Sequence, residues 1–150
     1  YYKSGITEYA FNGPLNEEIS QEHVREDYLV DVLFSIKPCY AEQIFEGTKK
    51  YEFRKMCCRK SVKKVYVYVT SPICAVLGEC VIEAIIQDSP FALWQKVSLD
   101  AGISEKDYFE YFRGRKNAVA YKLTEVVRYK EPKQLACFNL KKPPQSFCYI

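Results

Sequence analysis

Eight cations crowd one short stretch of this 150-residue chain: Lys49, Lys50, Arg54, Lys55, Arg59, Lys60, Lys63 and Lys64 stand against a single acid, Glu52. Lys49, Glu52 and Arg54 have types and spacing that could do chemistry. In an extended strand, period two puts Lys50, Glu52 and Arg54 on one face and Tyr51 and Phe53 on the other. A carboxylate there can accept from the exocyclic amine of a base, and the cations can meet carbonyl or phosphate oxygens. The plainer alternative is a solvent-exposed ion-pair cluster on an edge strand, which contributes little energetically. The whole run likewise reads either as a phosphate-contacting surface or as a solvated hairpin whose lysines discourage edge pairing. Tyr51, Phe53, Tyr66 and Tyr68 interleave with it and offer faces for stacking or for packing.

Other reactive types are sparser. Cys57 and Cys58 lie inside the cationic stretch, where Arg59 and Lys60 could lower a thiol pKa; the alternative is a pair of unreactive structural thiols. Seven cysteines, an odd number, with Cys74, Cys80, Cys137 and Cys148 in apolar settings, read as reduced thiols of a cytoplasmic protein rather than a secreted disulfide framework. No cofactor and no metal are expected, because there is no Cys-x-x-Cys pair and the one histidine, His23, has no partner motif. No apolar run approaches the length of about 18 residues that marks a membrane span, so no membrane partner is expected.

The elements that must position these residues follow from patterning. Val32 to Ile36 reads as a buried strand stopped at Lys37-Pro38, and Pro38 suits the first turn of a helix with Tyr40, Ala41, Ile44 and Phe45 on one stripe and Gly47 at its end. Lys50 to Arg54, Val65 to Val69, Val76 to Ile86 and Ala118 to Tyr129 read as strands, with Gly78 a bulge or close-approach point and Thr70-Ser71-Pro72 a turn. Ser89-Pro90 opens a helix through about Val97, and Ser104-x-x-Asp107 opens another that Gly114 ends. That second pair of helices carries Trp94 and a Tyr108 to Phe112 aromatic cluster, mostly core, with Trp94 or Tyr111 able to face a cleft. Phe147 to Ile150 reads as a closing strand. Five or six strands with about three helices, not in regular alternation, predict an α+β fold with a mostly antiparallel curved sheet or small barrel.

The formal charge of +3 divides unevenly: residues 1–31 carry net −5 and residues 32–150 carry +8. The acidic leader contains the turn Asn12-Gly13-Pro14 and a short helix over 17–25. Because the chain opens with Tyr1 rather than Met, the leader is read as a linker or the tail of an upstream domain; Tyr1 to Gly5 is similar to the closing strand region of acetyltransferases.

Residues 47–54, Gly-Thr-Lys-Lys-Tyr-Glu-Phe-Arg, follow the pattern Gly-x-Lys-x-x-Glu-x-Arg at a helix-to-strand junction. This resembles the signature of the ASCH family, a branch of the PUA-like β-barrel superfamily. Ser35-Ile36-Lys37-Pro38 before the helix, Thr70-Ser71-Pro72 after the strand, and Gly78-Glu79 leading to Ile82-Glu83 agree with it. Pro143-Pro144-Gln145-Ser146-Phe147 looks like the end of bacterial members known as predicted regulators. The resemblance covers about 32–150. It implies a cleft between barrel and helices holding Lys49, Glu52 and Arg54, with Lys37, Ser71, Gln145 and Ser146 around it. It also implies a cytoplasmic, regulatory module that binds RNA or a modified nucleoside.

Two further functions stay open. One branch of the family resembles amidohydrolases that deacylate N4-acetylcytidine with a lysine, a threonine and a glutamate. Lys49 and Glu83 could take two of these places, but Glu52 occupies that of the threonine, and a carboxylate does not easily replace a hydroxyl nucleophile. In that case Glu52 or Glu83 would position water. The other alternative is a protein-interaction adaptor appended to an upstream enzyme.

Overall fold

The computed structural model describes residues 29–150. The 12–14 turn, the helix over 17–25 and His23 lie outside them. In chain order the elements are β1 (Val30–Ile36), α1 (Pro38–Glu46), β2 (Tyr51–Arg54), β3 (Val62–Val69), β4 (Ala75–Asp88), α2 (Pro90–Val97), α3 (Glu105–Tyr111), β5 (Ala118–Lys133) and β6 (Phe147–Tyr149). Short 3₁₀ turns follow α2 (Ser98–Asp100) and β5 (Leu135–Phe138).

Alternating apolar residues build the strands, and local chemistry sets the helix ends. Pro38 opens α1, where its missing N–H costs nothing, and Gly47 closes it in a left-handed conformation, donating to Gln43 O and Ile44 O. Ser89 and Ser104 cap α2 and α3 by accepting from the N–H groups of Ala92 and Asp107. Helix α3 stops at Tyr111, two residues before the expected end at Gly114. Phe112 already serves as its C-cap because its side chain is buried against Phe53 and Tyr108, so Gly114 falls in the turn beyond.

The six strands form one mixed sheet in the order β2-β5-β4-β3-β1-β6. Four neighbouring pairs are antiparallel; β1 and β3 are parallel, and the connection between them carries α1 and β2. Slips of register at Val76/Gly78, Glu79/Val81 and Ile82/Ala84 in β4 add local twist, and the sheet curls into a half-barrel. This is the α+β architecture with a curved sheet that the pattern of elements predicts, and the PUA-like one that the ASCH resemblance implies.

Two cores result. Inside the half-barrel Phe34, Val65, Val67, Ile85 and Tyr121 pack with Ala41 and Ile44 of α1. On the other side Phe53, Ala118 and Ala120 meet Leu93, Val97, Tyr108 and Phe112 of the α2–α3 layer. Each fully buried aliphatic or phenylalanine side chain contributes about 1.5–3 kcal/mol, so both layers hold β2 firmly although it is an edge strand. Trp94 joins the second cluster, 4.5 Å from the Tyr108 ring centroid. Among the described residues no helix is long and apolar enough to cross a membrane.

Candidate functional site

Strand β2 lies between the two cores, and its alternation decides what each receives. Phe53 points into the helical layer; Glu52 and Arg54 point the other way, and the Arg54 guanidinium lies 4.6 Å from the Phe34 ring centroid. Lys50 does not share their face as a strand residue. It precedes β2 and is exposed, its N–H donating to Asp100 O (2.9 Å) in the turn after α2 and its carbonyl accepting from Leu123 N–H (2.9 Å) in β5.

Glu52 and Arg54 form an ion pair of 2.8 Å with side chains only 10% and 9% exposed, so the exposed edge-strand cluster is excluded. Arg54 also donates to Ser146 Oγ (2.8 Å), Ser146 O (3.1 Å) and Ser35 O (3.0 Å). Both terminal nitrogens are thereby engaged, and the buried Nε has no hydrogen-bond partner among the described residues. A guanidinium has five donors in a fixed fork, and here three of the four contacts join β2 to β1 and to the segment entering β6. Those are opposite ends of the sheet order, so Arg54 bridges the open side of the half-barrel. Ser35 strengthens the junction by donating to Pro144 O (2.7 Å).

Lys49 is 3% exposed, and its ammonium donates to Ala101 O at 2.9 Å. It lies 4.8 Å from the centroid of Phe53 and 5.1 Å from that of Tyr40. Burial pulls its pKa below the ordinary lysine value, Glu52 partly offsets this, and Arg54 adds to it. Among the described residues Ala101 O is the one hydrogen-bond acceptor for its three protons. The loop that supplies this carbonyl rests directly on Lys49: Gly102 has φ +64°, and a Cβ there would collide with the lysine. Burial also raises the Tyr40 hydroxyl, with Cys39, Asp107 and Glu52 adding to the effect.

The structure thus brings Lys49, Glu52, Arg54 and Ser146 together. Lys37 is exposed at the N-cap of α1, Ser71 is exposed in the β3–β4 turn, and Gln145 is exposed beside Ser146. Among the described residues none of these three hydrogen-bonds to Lys49, Glu52 or Arg54. Glu83 is half exposed and paired with Lys122 at 3.0 Å. Cys58 is buried, its N–H donating to the Tyr121 hydroxyl (2.8 Å), and burial pushes its thiol pKa up rather than down. Among the described residues no cluster of three or more histidine, cysteine or acidic side chains could hold a metal.

Sequence reasoning missed the carbonyls of Ser35 and Ala101 and the Gly102 contact. Backbone oxygens leave no trace in residue type, and the only signal was a glycine in a loop. Tyr111, considered for a cleft, is 38% exposed; the Lys55 ammonium lies 4.8 Å from its ring centroid, and the charges of Arg54 and Glu52 both reach its hydroxyl.

No family model matches the chain. It is similar to ATP synthase subunit alpha of Ureaplasma parvum, with 38% identity over 136 residues, 90% of this chain and 17% of that protein. It is also similar to large ribosomal subunit protein uL22 of the same species, 32% identical over 126 residues, 83% of this chain and 40% of that protein. The chain therefore spans well under half the length of these two relatives. An ASCH domain-containing ribonuclease of Zymomonas mobilis is 31% identical over 96 residues, 63% of this chain and 65% of that protein. The crystal structure of ASCH from Zymomonas mobilis superposes with a TM-score of 0.74 at 28% identity, covering 80% of this chain and 87% of that one. With the curled six-strand sheet, its flanking helices and the Gly47 to Arg54 signature at the helix-to-strand junction, this likeness in sequence and structure identifies the chain as a member of the ASCH domain family.

Proposed function

We propose that this ASCH domain binds RNA at the cleft around Lys49. The observation that carries the proposal is a buried ammonium whose three protons meet one acceptor among the described residues. A buried cation with spare donors is costly unless a ligand supplies oxygens, and phosphate and ribose hydroxyls are such oxygens. The name of the Zymomonas relative, a ribonuclease, supports RNA as the ligand class. Glu52 and Arg54 are then the frame that holds Lys49 and its loop, rather than groups that read a base.

A second reading is favoured by the depressed pKa of Lys49: its neutral amine would take the proton of a ribose 2′-hydroxyl as that oxygen attacks the adjacent phosphorus, the P–O5′ bond breaks to leave a 2′,3′-cyclic phosphate, and the departing 5′-oxygen takes up a proton to leave as a hydroxyl. Amide hydrolysis of an acylated nucleoside has less support, since Glu52 is locked to Arg54 and Glu83 is paired with Lys122. The two longer Ureaplasma relatives carry unrelated names, which supports a module joined to different partners, with the acidic leader as its linker. A regulatory role in the cytoplasm belongs to the same proposal.

The test is fluorescence anisotropy with single-stranded and structured RNA at several salt concentrations, comparing the chain with Lys49→Met. Affinity should fall with salt and drop at least about tenfold in the variant, with folding checked by circular dichroism. Affinity that ignores both salt and the substitution would overturn RNA binding. Absence of cleavage products by the unmodified chain would overturn proton transfer alone.

A further inference from the structure

Beyond the end of β2, outside the Lys49 cleft, the surface opens into a groove of about 510 Å³. Its walls come from the β2–β3 connection, the end of β4, and the turn between α3 and β5. Three of its lining residues are cations, Lys55, Arg115 and Lys116, two are neutral amides, Gln87 and Asn117, and none is acidic. All five are exposed. The nearby acid Glu110 is already held by Arg113, while no salt bridge involves Lys55, Arg115 or Lys116 among the described residues.

Tyr111 lies between the groove and the buried charges of β2: Arg54 and Glu52 on one side and Arg115 on the other all act on its hydroxyl. Lys55 follows Arg54 directly in sequence, and its ammonium lies 4.8 Å from the Tyr111 ring centroid. Tyr111 is itself partly exposed to solvent. Unpaired cations that track a groove beside an exposed aromatic ring are the pattern that suits a single nucleic-acid strand: phosphates meet the charges and a base stacks on the ring. An acidic peptide would satisfy the cations but would leave the ring without a planar partner.

We propose that this groove carries the phosphodiester backbone of a single RNA strand whose neighbouring nucleotide occupies the Lys49 cleft, with Arg115 and Lys116 contacting successive phosphates and Tyr111 stacking the base between. The assignment rests on the RNA-binding reading and deepens it. It makes binding depend on strand length, since a dinucleotide fills the cleft alone whereas a longer strand reaches the groove.

The experiment compares the chain with Arg115→Gln/Lys116→Gln, using a dinucleotide and a single strand of about twelve nucleotides at salt concentrations from about 50 to 200 mM. Each lost phosphate contact on a single strand lowers the slope of log affinity against log salt by about 0.7, so the double variant should lose about 1.4 of slope on the longer strand. The gap between the two proteins then narrows about sevenfold across that salt range, and the dinucleotide loses far less than the longer strand. An unchanged slope, with the unmodified chain still binding RNA in a salt-dependent way, overturns the groove and leaves the cleft standing. Failure of the unmodified chain to bind RNA at all overturns the underlying reading as well. Equal weakening for polyglutamate and RNA, without dependence on length, assigns the groove to an acidic protein partner and overturns the proposal. Unfolding midpoints of both proteins must coincide, and Lys55→Gln provides an independent variant should they not.

Discussion

Gly102→Ala tests how the candidate site is held. Gly102 has φ +64°, a region that side-chain-bearing residues enter at a cost of about 1–2 kcal/mol. An added Cβ would also stand 2.8 Å from Lys49 Cα and 2.6 Å from its Cγ. The Cα belongs to backbone fixed on both sides, by Lys49 N–H to Gln43 O (3.1 Å) and Lys50 N–H to Asp100 O (2.9 Å). Rotating a side chain therefore cannot relieve the overlap, and one segment must move. Forcing extra volume into such a contact costs about 1–3 kcal/mol, giving a total of about 2–5 kcal/mol. Gly47→Ala isolates the backbone part, because Gly47 has φ +89° and nothing within 4 Å of a Cβ. The difference between the variants should be about 1–3 kcal/mol, read as a shift of urea midpoint at constant m-value. Equal stabilities would refute the reasoning, since the 98–102 loop would then yield freely and could not anchor the Lys49 ammonium.

Two further perturbations address charge. Glu52→Gln leaves Arg54 and Lys49 as buried cations without a counter-charge and should cost about 3–5 kcal/mol in urea unfolding; a loss under about 1 kcal/mol would mean that solvent screens the pair. Lys49 sets a pH dependence: its folded-state pKa lies below the unfolded value, so the unfolded chain holds the proton longer. Stability of the unmodified chain relative to Lys49→Met should therefore rise as pH climbs from the folded pKa towards 10.5, then level off. Comparing midpoints of the two proteins cancels Cys80 and Tyr108, both pushed up to about 12 by burial, which act in the opposite direction. A flat difference would show that Lys49 is solvated.

Much of the architecture was legible because short-range chemistry and tertiary packing agree. Ser89-Pro90 and Ser104-x-x-Asp107 mark the helix starts that form, and Val65 to Val69 lies within β3. The parallel pairing of β1 with β3 was not legible, because alternation fixes which face a residue takes and not which strand lies beside it. The site divides the same way. The signature spacing placed Glu52 and Arg54 on one face, but residue type could not tell that all four terminal N–H groups of Arg54 would be spent on Glu52, Ser146 and Ser35. The cationic run lost its unity on folding. Lys49 and Arg54 went inside, Lys64 paired with Glu79, Lys60 lay over Tyr149, and Lys55 joined Arg115 and Lys116 from sixty residues further along the chain.

The Arg54 bridge has a kinetic consequence. It joins β2 to Ser146, 92 positions later, whereas the β3–β4 ladder links neighbours in the chain. Closing so long a loop carries an entropic cost that local ladders do not meet, so the bridge forms after the sheet it spans. A growing polypeptide that has exposed β1 through β5 already holds Lys49, Glu52 and Arg54, yet the guanidinium has no Ser146 to grip. Completion of the cleft is thereby deferred to the last stage of folding, when the segment leading into β6 reaches the sheet.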